Sequence, residues 1–402
     1  MSFIDLVLNS TTEYEAPKRF YYWSALSAIS AVLKDSVFFD MGGAYKLYPN
    51  IYVLLYGPSG VRKGPAIAIA EQVVKKVDNT RTINGRATIE AIIKLLGEFK
   101  SRPGKEPLKD SCGFVVASEL SSSIVSNPSA MDIMTALFDR IYNTGDWEYN
   151  LKVGPSHTLK RPTITWLSGT NEALFREFLP EKNINGGLIG RMFIISESKP
   201  GNINSLMYKP KVIPDIDKMT EALIPISRLR GEFTTCDEVR EEIDRFYNKF
   251  MRTIAPTLKD ETGFVSRVLD FVMKNAMIIS SGRRGDLKIM MSDFEEALDI
   301  TLPLIVPTKR ASQQLKKGDP SLVEKRGLVL TYIARQPNFQ ANRKDILKNL
   351  GLRLDHEDLN KVIDLMLQMD IVHNDSSGGE IVYKLKMENP KIADWIKKEY
   401  GE

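Results

Sequence analysis

An apolar run, a glycine-rich turn and a helical pattern follow one another in the stretch IYVLLYGPSGVRKGPAIAIAEQVVKK, which begins at Ile51. Gly57 and Gly60 permit backbone conformations in the turn that bulkier residues resist. A helix from about Pro65 onward would present free N–H groups and the positive end of its dipole to an anion. Lys63 is placed to reach the β- and γ-phosphates of a nucleotide. We therefore predict a phosphate-binding loop formed by Gly57, Pro58, Ser59, Gly60, Val61, Arg62, Lys63 and Gly64.

The predicted loop departs twice from the usual pattern G-x-x-x-x-G-K-[ST]. Arg62 stands where the second glycine is expected, and Gly64 stands where a hydroxyl would ligate Mg²⁺. The alternative interpretation is an ordinary corner between a strand and a helix, with no ligand. The order of strand, turn, lysine and helix favours nucleotide binding over that alternative.

Strand and helix patterns alternate from residue 36 to residue 204, which predicts an α/β fold with a mostly parallel sheet. The apolar runs IYVLLY, GFVVAS, TITWLSG and RMFIIS mark its strands. Beyond them amphipathic helices predominate with no clear strand, and the chain ends in the order of a winged helix, three helices and then a hairpin. The predicted parts are an N-terminal helical segment 1–35, a P-loop core 36–204, a helical lid 205–310, a linker 311–320 and a winged-helix domain 321–402.

Glu119 follows an apolar strand that ends at Ser118. A nucleoside triphosphatase needs a group that orients the attacking water, and an acidic pair after a hydrophobic strand is expected to provide it. In the expected pair of aspartate and glutamate, Ser118 replaces the aspartate that would support Mg²⁺, whereas the glutamate is present as Glu119. Glu119 is therefore the candidate for orienting water. The alternative is a solvated carboxylate at a strand end.

Asn171 follows the next apolar strand, TITWLSG. A polar side chain on the strand beside the phosphate-binding loop can hydrogen-bond the γ-phosphate or the attacking water, so Asn171 is the candidate sensor. Asparagine is also a common N-cap, here for the helical pattern EALFREFL. Both roles can hold at once.

Arg191 opens the last predicted strand and follows a glycine-rich segment. This context is typical of an arginine that reaches the nucleotide of a neighbouring subunit and offsets transition-state charge. The alternative is an exposed arginine at the start of a strand.

Two extended stretches around Val153-Gly154-Pro155 predict a hairpin directly before the sensor strand. Basic residues at such a tip can track a phosphate backbone inside the pore of a ring. A surface hairpin with scattered charge is the alternative. The DNA-contact candidates are Lys152, His157, Lys160 and Arg161.

Five segments in this order resemble the phage- and plasmid-type replicative helicase ATPases of the AAA+ class. They are YPNIYVLLYGPSGVRKG, VVASELSSSI, LFDRIYNTGDWEYNLK, RPTITWLSGTNEALFREF and GGLIGRMFIIS. The resemblance is nearest to a group described as a domain of unknown function and related to superfamily III and minichromosome-maintenance helicases. It covers residues 15–310, about three quarters of the 402 residues.

The resemblance implies an AAA+ core with a helical lid, a homo-oligomeric ring that we expect to be hexameric, and movement along single-stranded or forked DNA driven by ATP and Mg²⁺. A primase half is not expected in the 35 or so leading residues, so priming would come from another protein. Since Gly64 and Ser118 remove both usual protein supports for Mg²⁺, contacts bridged by water would have to replace them.

The predicted third helix of the C-terminal segment is acidic, although in a DNA-binding winged helix it enters the major groove. Positive charge lies instead on the preceding helix. Protein–protein contact is therefore favoured over specific DNA reading for this segment. The acidic residues are Asp355, Glu357, Asp358, Asp364 and Asp370, against Lys361; the basic residues are Arg343, Lys344 and Lys348.

The leading hypothesis is thus a ring-forming ATPase acting on DNA, a mobile-element replicative helicase or its motor subunit. The second is a nucleotide-binding adaptor or loader with weak or no hydrolysis, and the third a structural α/β protein that binds no nucleotide. Two cysteines far apart, and no apolar run long enough to cross a membrane, predict a cytoplasmic protein of a bacterial or phage-infected cell.

Overall fold

The computed structural model of the chain describes residues 1–85, 87–97, 110–120, 128–140, 146–149, 157–178, 187–203, 210–316, 322–350, 354, 356–375 and 381–400. The chain divides into two compact units, Met1–Lys316 and Lys317–Glu402. Among the helices in these ranges, none is both long enough and apolar enough to cross a membrane.

The strands of the first unit are β1 (Val37–Asp40), β2 (Lys46–Leu47), β3 (Tyr52–Tyr56), β4 (Thr82–Asn84), β5 (Cys112–Ala117), β6 (Trp147–Tyr149), β7 (His157–Leu159), β8 (Thr163–Thr170), β9 (Met192–Ser196), β10 (Gly231–Glu232), β11 (Thr234–Thr235) and β12 (Lys288–Ile289). Its α-helices are Phe3–Ser10, Lys18–Leu33, Lys63–Lys76, Ile89–Gly97, Pro128–Arg140, Glu172–Phe178, Ile216–Ser227, Asp237–Lys249, Ala255–Leu258, Val268–Arg284, Met291–Thr301 and Ile305–Lys316.

A five-stranded, all-parallel sheet in the order β4–β5–β8–β3–β9 is the centre of the first unit. Strands β5 and β8 are buried along their whole length, as expected when helices cover both faces of a parallel sheet. The four strands predicted from apolar runs are all present, so the mixed α/β fold is confirmed. The sequence analysis missed β4, because three residues are too few to show a pattern.

The N-terminal segment is helical, as predicted, and it belongs to the same compact unit as the sheet. Helix Lys18–Leu33 is buried on nearly all sides and packs against helix Lys63–Lys76. The Ser30 hydroxyl hydrogen-bonds the Pro49 carbonyl oxygen and the Thr165 hydroxyl, each at 2.7 Å. This helix therefore supports both β8 and the segment that leads into β3.

The region predicted as a helical lid is mainly helical, but its buried residues join those of the sheet in one hydrophobic cluster. It also contains short strands that the sequence analysis did not predict: β10 pairs with β1, and β11 pairs with β12. Two-residue strands leave no periodic signal, which explains the error.

The predicted linker was wrong over its first half, because helix Ile305–Lys316 continues through residues 311–316. Ala311 and Ser312 are buried. The composition of this stretch is mainly polar and basic, so the sequence did not reveal that one side of the helix is buried within the first unit, where the helix contacts β9.

The second unit contains helices Leu322–Ala334, Arg343–Leu350, His356–Gln368 and Pro390–Tyr400, and strands β13 (Gln340–Asn342), β14 (Val372–Asp375) and β15 (Val382–Leu385). The strands form an antiparallel sheet in the order β13–β15–β14. Three helices and the hairpin β14–β15 were predicted, whereas β13 and the last helix were not. The unit has its own hydrophobic core, which includes Val329, Ile346 and Leu359.

Candidate functional site

The predicted phosphate-binding loop lies between β3 and helix Lys63–Lys76, at the carboxyl edge of the sheet. The Gly57 N–H donates to the Thr170 carbonyl oxygen at 3.2 Å, which ties the start of the loop to the end of β8. A Cβ atom at position 57 would overlap the Glu197 carbonyl oxygen, so only glycine allows this close approach. Gly60 has a φ of 91°, in the region that favours glycine.

Lys63 begins the helix that follows the loop. Its Nζ atom donates to the Gly57 and Pro58 carbonyl oxygens at 2.8 and 3.0 Å, so the ammonium lies against the loop that it is predicted to serve. Partial burial lowers the pKa of the Lys63 ammonium, and the charge of Glu119 opposes this shift. Glu119 is therefore close enough to Lys63 for their charges to interact.

Three segments converge at Gly169, near the carboxyl end of β8. A Cβ atom there would lie 3.3 Å from the Lys63 Cβ atom and 2.5 Å from the Ser118 carbonyl oxygen. Because β8 lies between β3 and β5 and is parallel to both, the loop, Glu119 and Asn171 all follow strand ends at the same edge. The residues proposed to hold phosphate, orient water and sense the γ-phosphate are thus neighbours in the fold.

Asn171 caps the helix that follows β8, because its Oδ1 atom accepts a hydrogen bond from the Leu174 N–H at 3.0 Å. This hydrogen bond uses the side-chain oxygen and not the amide nitrogen. That nitrogen is a donor, which suits a phosphate oxygen and not the proton of a water molecule.

Arg191 is buried, which contradicts the alternative of an exposed arginine. Its guanidinium binds both carboxylate oxygens of Asp139 and donates to the Gly187 carbonyl oxygen at 2.8 Å. Met192 pairs with Tyr52 at the start of β3, and Ser196 pairs with Tyr56 beside the loop. Arg191, which directly precedes Met192, therefore lies at the amino ends of the strands, roughly 17 Å along the strands from the loop, and it does not join the site of its own chain.

The predicted hairpin is present as the antiparallel pair β6–β7. Its tip, with Lys152, lies outside the described residues, and of His157 only the backbone is described. Lys160 is exposed, and its N–H donates to the Ser111 hydroxyl. Arg161 forms an ion pair with the buried Asp35 carboxylate at 2.9 Å. Arg161 thus has a partner within the chain, while 60% of its side chain remains exposed.

The sequence analysis missed Lys274, which is completely buried in helix Val268–Arg284. Its ammonium donates to the Tyr48 and Asn50 carbonyl oxygens, at 2.8 and 3.0 Å, and to the Asn50 Oδ1 atom at 2.5 Å. This lysine anchors the segment that leads into β3. The signal was available in the stretch FVMKNAMII, where a charge interrupts an apolar run.

At the carboxyl edge, Gly64 and Ser118 do not provide the hydroxyl and the aspartate that usually support Mg²⁺ beside such a loop. Gly64 and Ser118 line the same cavity, of about 200 Å³, together with Glu71 and Asn84. Glu71 is already engaged by Lys75 and by the Asn84 amide. Within the described ranges, no group of three or more histidine, cysteine or acidic side chains could hold a metal ion.

No model of a known protein family matches the chain. A search of curated proteins likewise finds no match.

Proposed function

We propose that this chain is a P-loop ATPase of the AAA+ class that acts on DNA. The observation that carries the proposal is the convergence at Gly169 of a strand–loop–helix, an acidic strand end and a polar strand end. A parallel sheet brings these three segments to one edge, where ligands of open α/β sheets bind.

In this proposal Lys63 and the N–H groups at the start of its helix hold the β- and γ-phosphates of ATP. Lys63 leaves the Gly57 and Pro58 carbonyl oxygens and turns to the phosphates. Glu119 orients the attacking water and accepts its proton. Asn171 donates its amide N–H to the γ-phosphate while its oxygen stays in the helix cap.

Arg191 acts, in the same proposal, on the nucleotide of a neighbouring subunit. Arg191 lies at the amino ends of the strands, so it cannot contact a nucleotide at the phosphate-binding loop of its own chain. The role therefore requires a ring, which we propose to be hexameric. Asp139 holds the guanidinium in the single chain, and this ion pair has to open before Arg191 reaches another subunit.

The proposed substrate is single-stranded or forked DNA, and the proposed biological role is that of a mobile-element replicative helicase or its motor subunit in the cytoplasm. The support is the sequence resemblance together with the second unit, whose order of helices and strands fits a winged helix. We assign that unit to contact with a replication protein such as a separate primase, because its third helix is acidic.

A nucleotide-binding adaptor with weak or no hydrolysis is the second candidate function. Gly64 and Ser118 favour it, because neither offers the ligands with which such sites usually hold Mg²⁺ at the phosphates. The steady-state ATPase rate, measured with and without single-stranded DNA, separates the two functions. A DNA-stimulated rate supports the motor, and a background rate with tight ATP binding supports the adaptor.

The Lys63→Ala variant tests the site itself. We expect ATP turnover to fall to background, because the variant loses the charge that holds the phosphates. Lys76→Ala, in the last turn of the same helix, is the control, since Lys76 is exposed and pairs with the exposed Asp217. Normal turnover in Lys63→Ala would refute the assignment.

A further inference from the structure

We propose that Arg62 binds the polyphosphate of the nucleotide. The site lacks the usual protein ligands to Mg²⁺, and the guanidinium of Arg62 provides a positive charge in addition to that of Lys63. The inference rests on the proposed function and makes it specific: the ligand is a nucleoside triphosphate bound largely without metal support. Four features of the loop carry it.

The first feature is the backbone of Arg62, whose φ is 64° and ψ is 42°. Residues other than glycine adopt this left-handed backbone conformation only at a cost in free energy. Such residues concentrate at functional sites. The loop thus keeps the backbone shape for which glycine is the usual residue, while it carries a long cationic side chain.

The second feature is the partner of that side chain. The Arg62 Nε atom lies 2.5 Å from a carboxylate oxygen of Glu15, a residue distant in sequence. The carboxylate shows where an anion can meet the guanidinium beside the loop. About half of the Arg62 side chain remains exposed, 51%, so a ligand can reach it and displace Glu15.

The third feature is the space at Gly64. A Cβ atom added there would meet nothing within 4 Å. The fold therefore does not exclude serine or threonine at this position, and the missing hydroxyl is a property of the sequence alone. The position without a metal-ligating hydroxyl and the position with an additional cation are thus two residues apart.

The fourth feature is the difference between the two cations. Lys63 is a compact charge that reaches the loop carbonyl oxygens. Arg62 offers a planar fork of donors that matches two phosphate oxygens at once. Together the two side chains offset two negative charges of the triphosphate tail, whereas one lysine and Mg²⁺ would offset three.

The test is calorimetric binding of ATP to the full chain in EDTA and in excess Mg²⁺, at equal ionic strength because salt screens charge. We expect the affinity of the unchanged protein to differ by less than about threefold between the two conditions. We expect Arg62→Gly to bind at least about tenfold more weakly in EDTA, the loss of one charge-assisted contact.

Two further variants sharpen the result. Glu15→Gln removes the competing carboxylate, so it should bind ATP more tightly than the unchanged protein in EDTA. Arg19→Gln is the matched control, because Arg19 forms a similar half-exposed ion pair, with Glu197, and should bind ATP normally. Arg62→Gly suits the left-handed backbone, so thermal unfolding should show it to be folded.

Arg62→Gly binding that equals that of the unchanged protein in EDTA overturns the role of Arg62. If Lys63→Ala still abolishes binding in that case, the proposed nucleotide site survives and only this inference fails. If the unchanged protein binds no ATP under either condition, both fail together.

Discussion

At the scale of single residues, the most unusual group of the first unit is the buried ammonium of Lys274. Burial lowers the pKa of Lys274 to about 7, and the charges of Asp270 and Asp139 oppose this shift. Lys274 donates three hydrogen bonds to oxygen atoms of Tyr48 and Asn50, directly before β3. One side chain thus connects helix Val268–Arg284 to the strand that carries the phosphate-binding loop.

We expect Lys274→Met to lower the free energy of unfolding by about 3–5 kcal/mol, because it leaves buried acceptors without a donor.

The stability of the unchanged protein should also rise from pH 7 to 9. Above pH 7 the folded state holds a neutral amine while the unfolded chain still binds the proton, so the slope from Lys274 is at most about 1.4 kcal/mol per pH unit. Lys274→Met should lose this part of the slope.

Urea unfolding at pH 7, 8 and 9 measures both effects. Lys218→Met, an exposed lysine on helix Ile216–Ser227, should change neither stability nor slope. Equal stability and equal slope in Lys274→Met and the unchanged protein would show that Lys274 does not anchor β3.

At the scale of elements, the strand–loop–helix joins the sheet through a close backbone approach. Gly57 lies against the Glu197 carbonyl oxygen at the end of β9, and its N–H binds the end of β8. Gly64, in the first turn of the helix, faces open space. Close packing therefore requires glycine at position 57, whereas it does not require glycine at position 64.

We expect Gly57→Ala to destabilise the protein by about 1–3 kcal/mol, since the added carbon forces the backbone of β9 to shift. Gly64→Ala should change stability by no more than about 1 kcal/mol, in the stabilising direction, because alanine favours the helix. Chemical denaturation of the two variants side by side is the measurement. Similar losses in both would mean that the loop does not pack as described.

Element length decided which parts of the fold were predictable. Long, mainly apolar runs identified β3, β5, β8 and β9, because burial on both faces leaves no charged residue in these strands. The short strands β4, β10, β11 and β12 were missed, since their pairing depends on partners distant in sequence. The helix through residues 311–316 was mistaken for a linker because few of its residues are apolar.

At the scale of the whole molecule, the chain comprises two compact units, each with its own hydrophobic core. The phosphate-binding loop, Glu119, Asn171 and Arg191 all belong to the first. Nucleotide binding should therefore not depend on the second unit.

We expect residues 1–316 alone to bind ATP with the affinity of the full chain, and residues 317–402 alone to unfold cooperatively. Calorimetry for the first fragment and thermal circular dichroism for the second are the measurements. A fragment 317–402 without a cooperative transition would indicate that the second unit needs the first in order to fold.

The sequence by itself determined the α/β class, the main strands and the position of the loop, because hydrophobic periodicity and glycine placement are local properties. The tertiary structure alone decided which strand ends meet at Gly169, that Asp139 pairs with Arg191, that Glu15 pairs with Arg62 and that Lys274 is buried against the segment before β3. These contacts join residues far apart in the chain. Their energies depend on desolvation and on distances that no local pattern records.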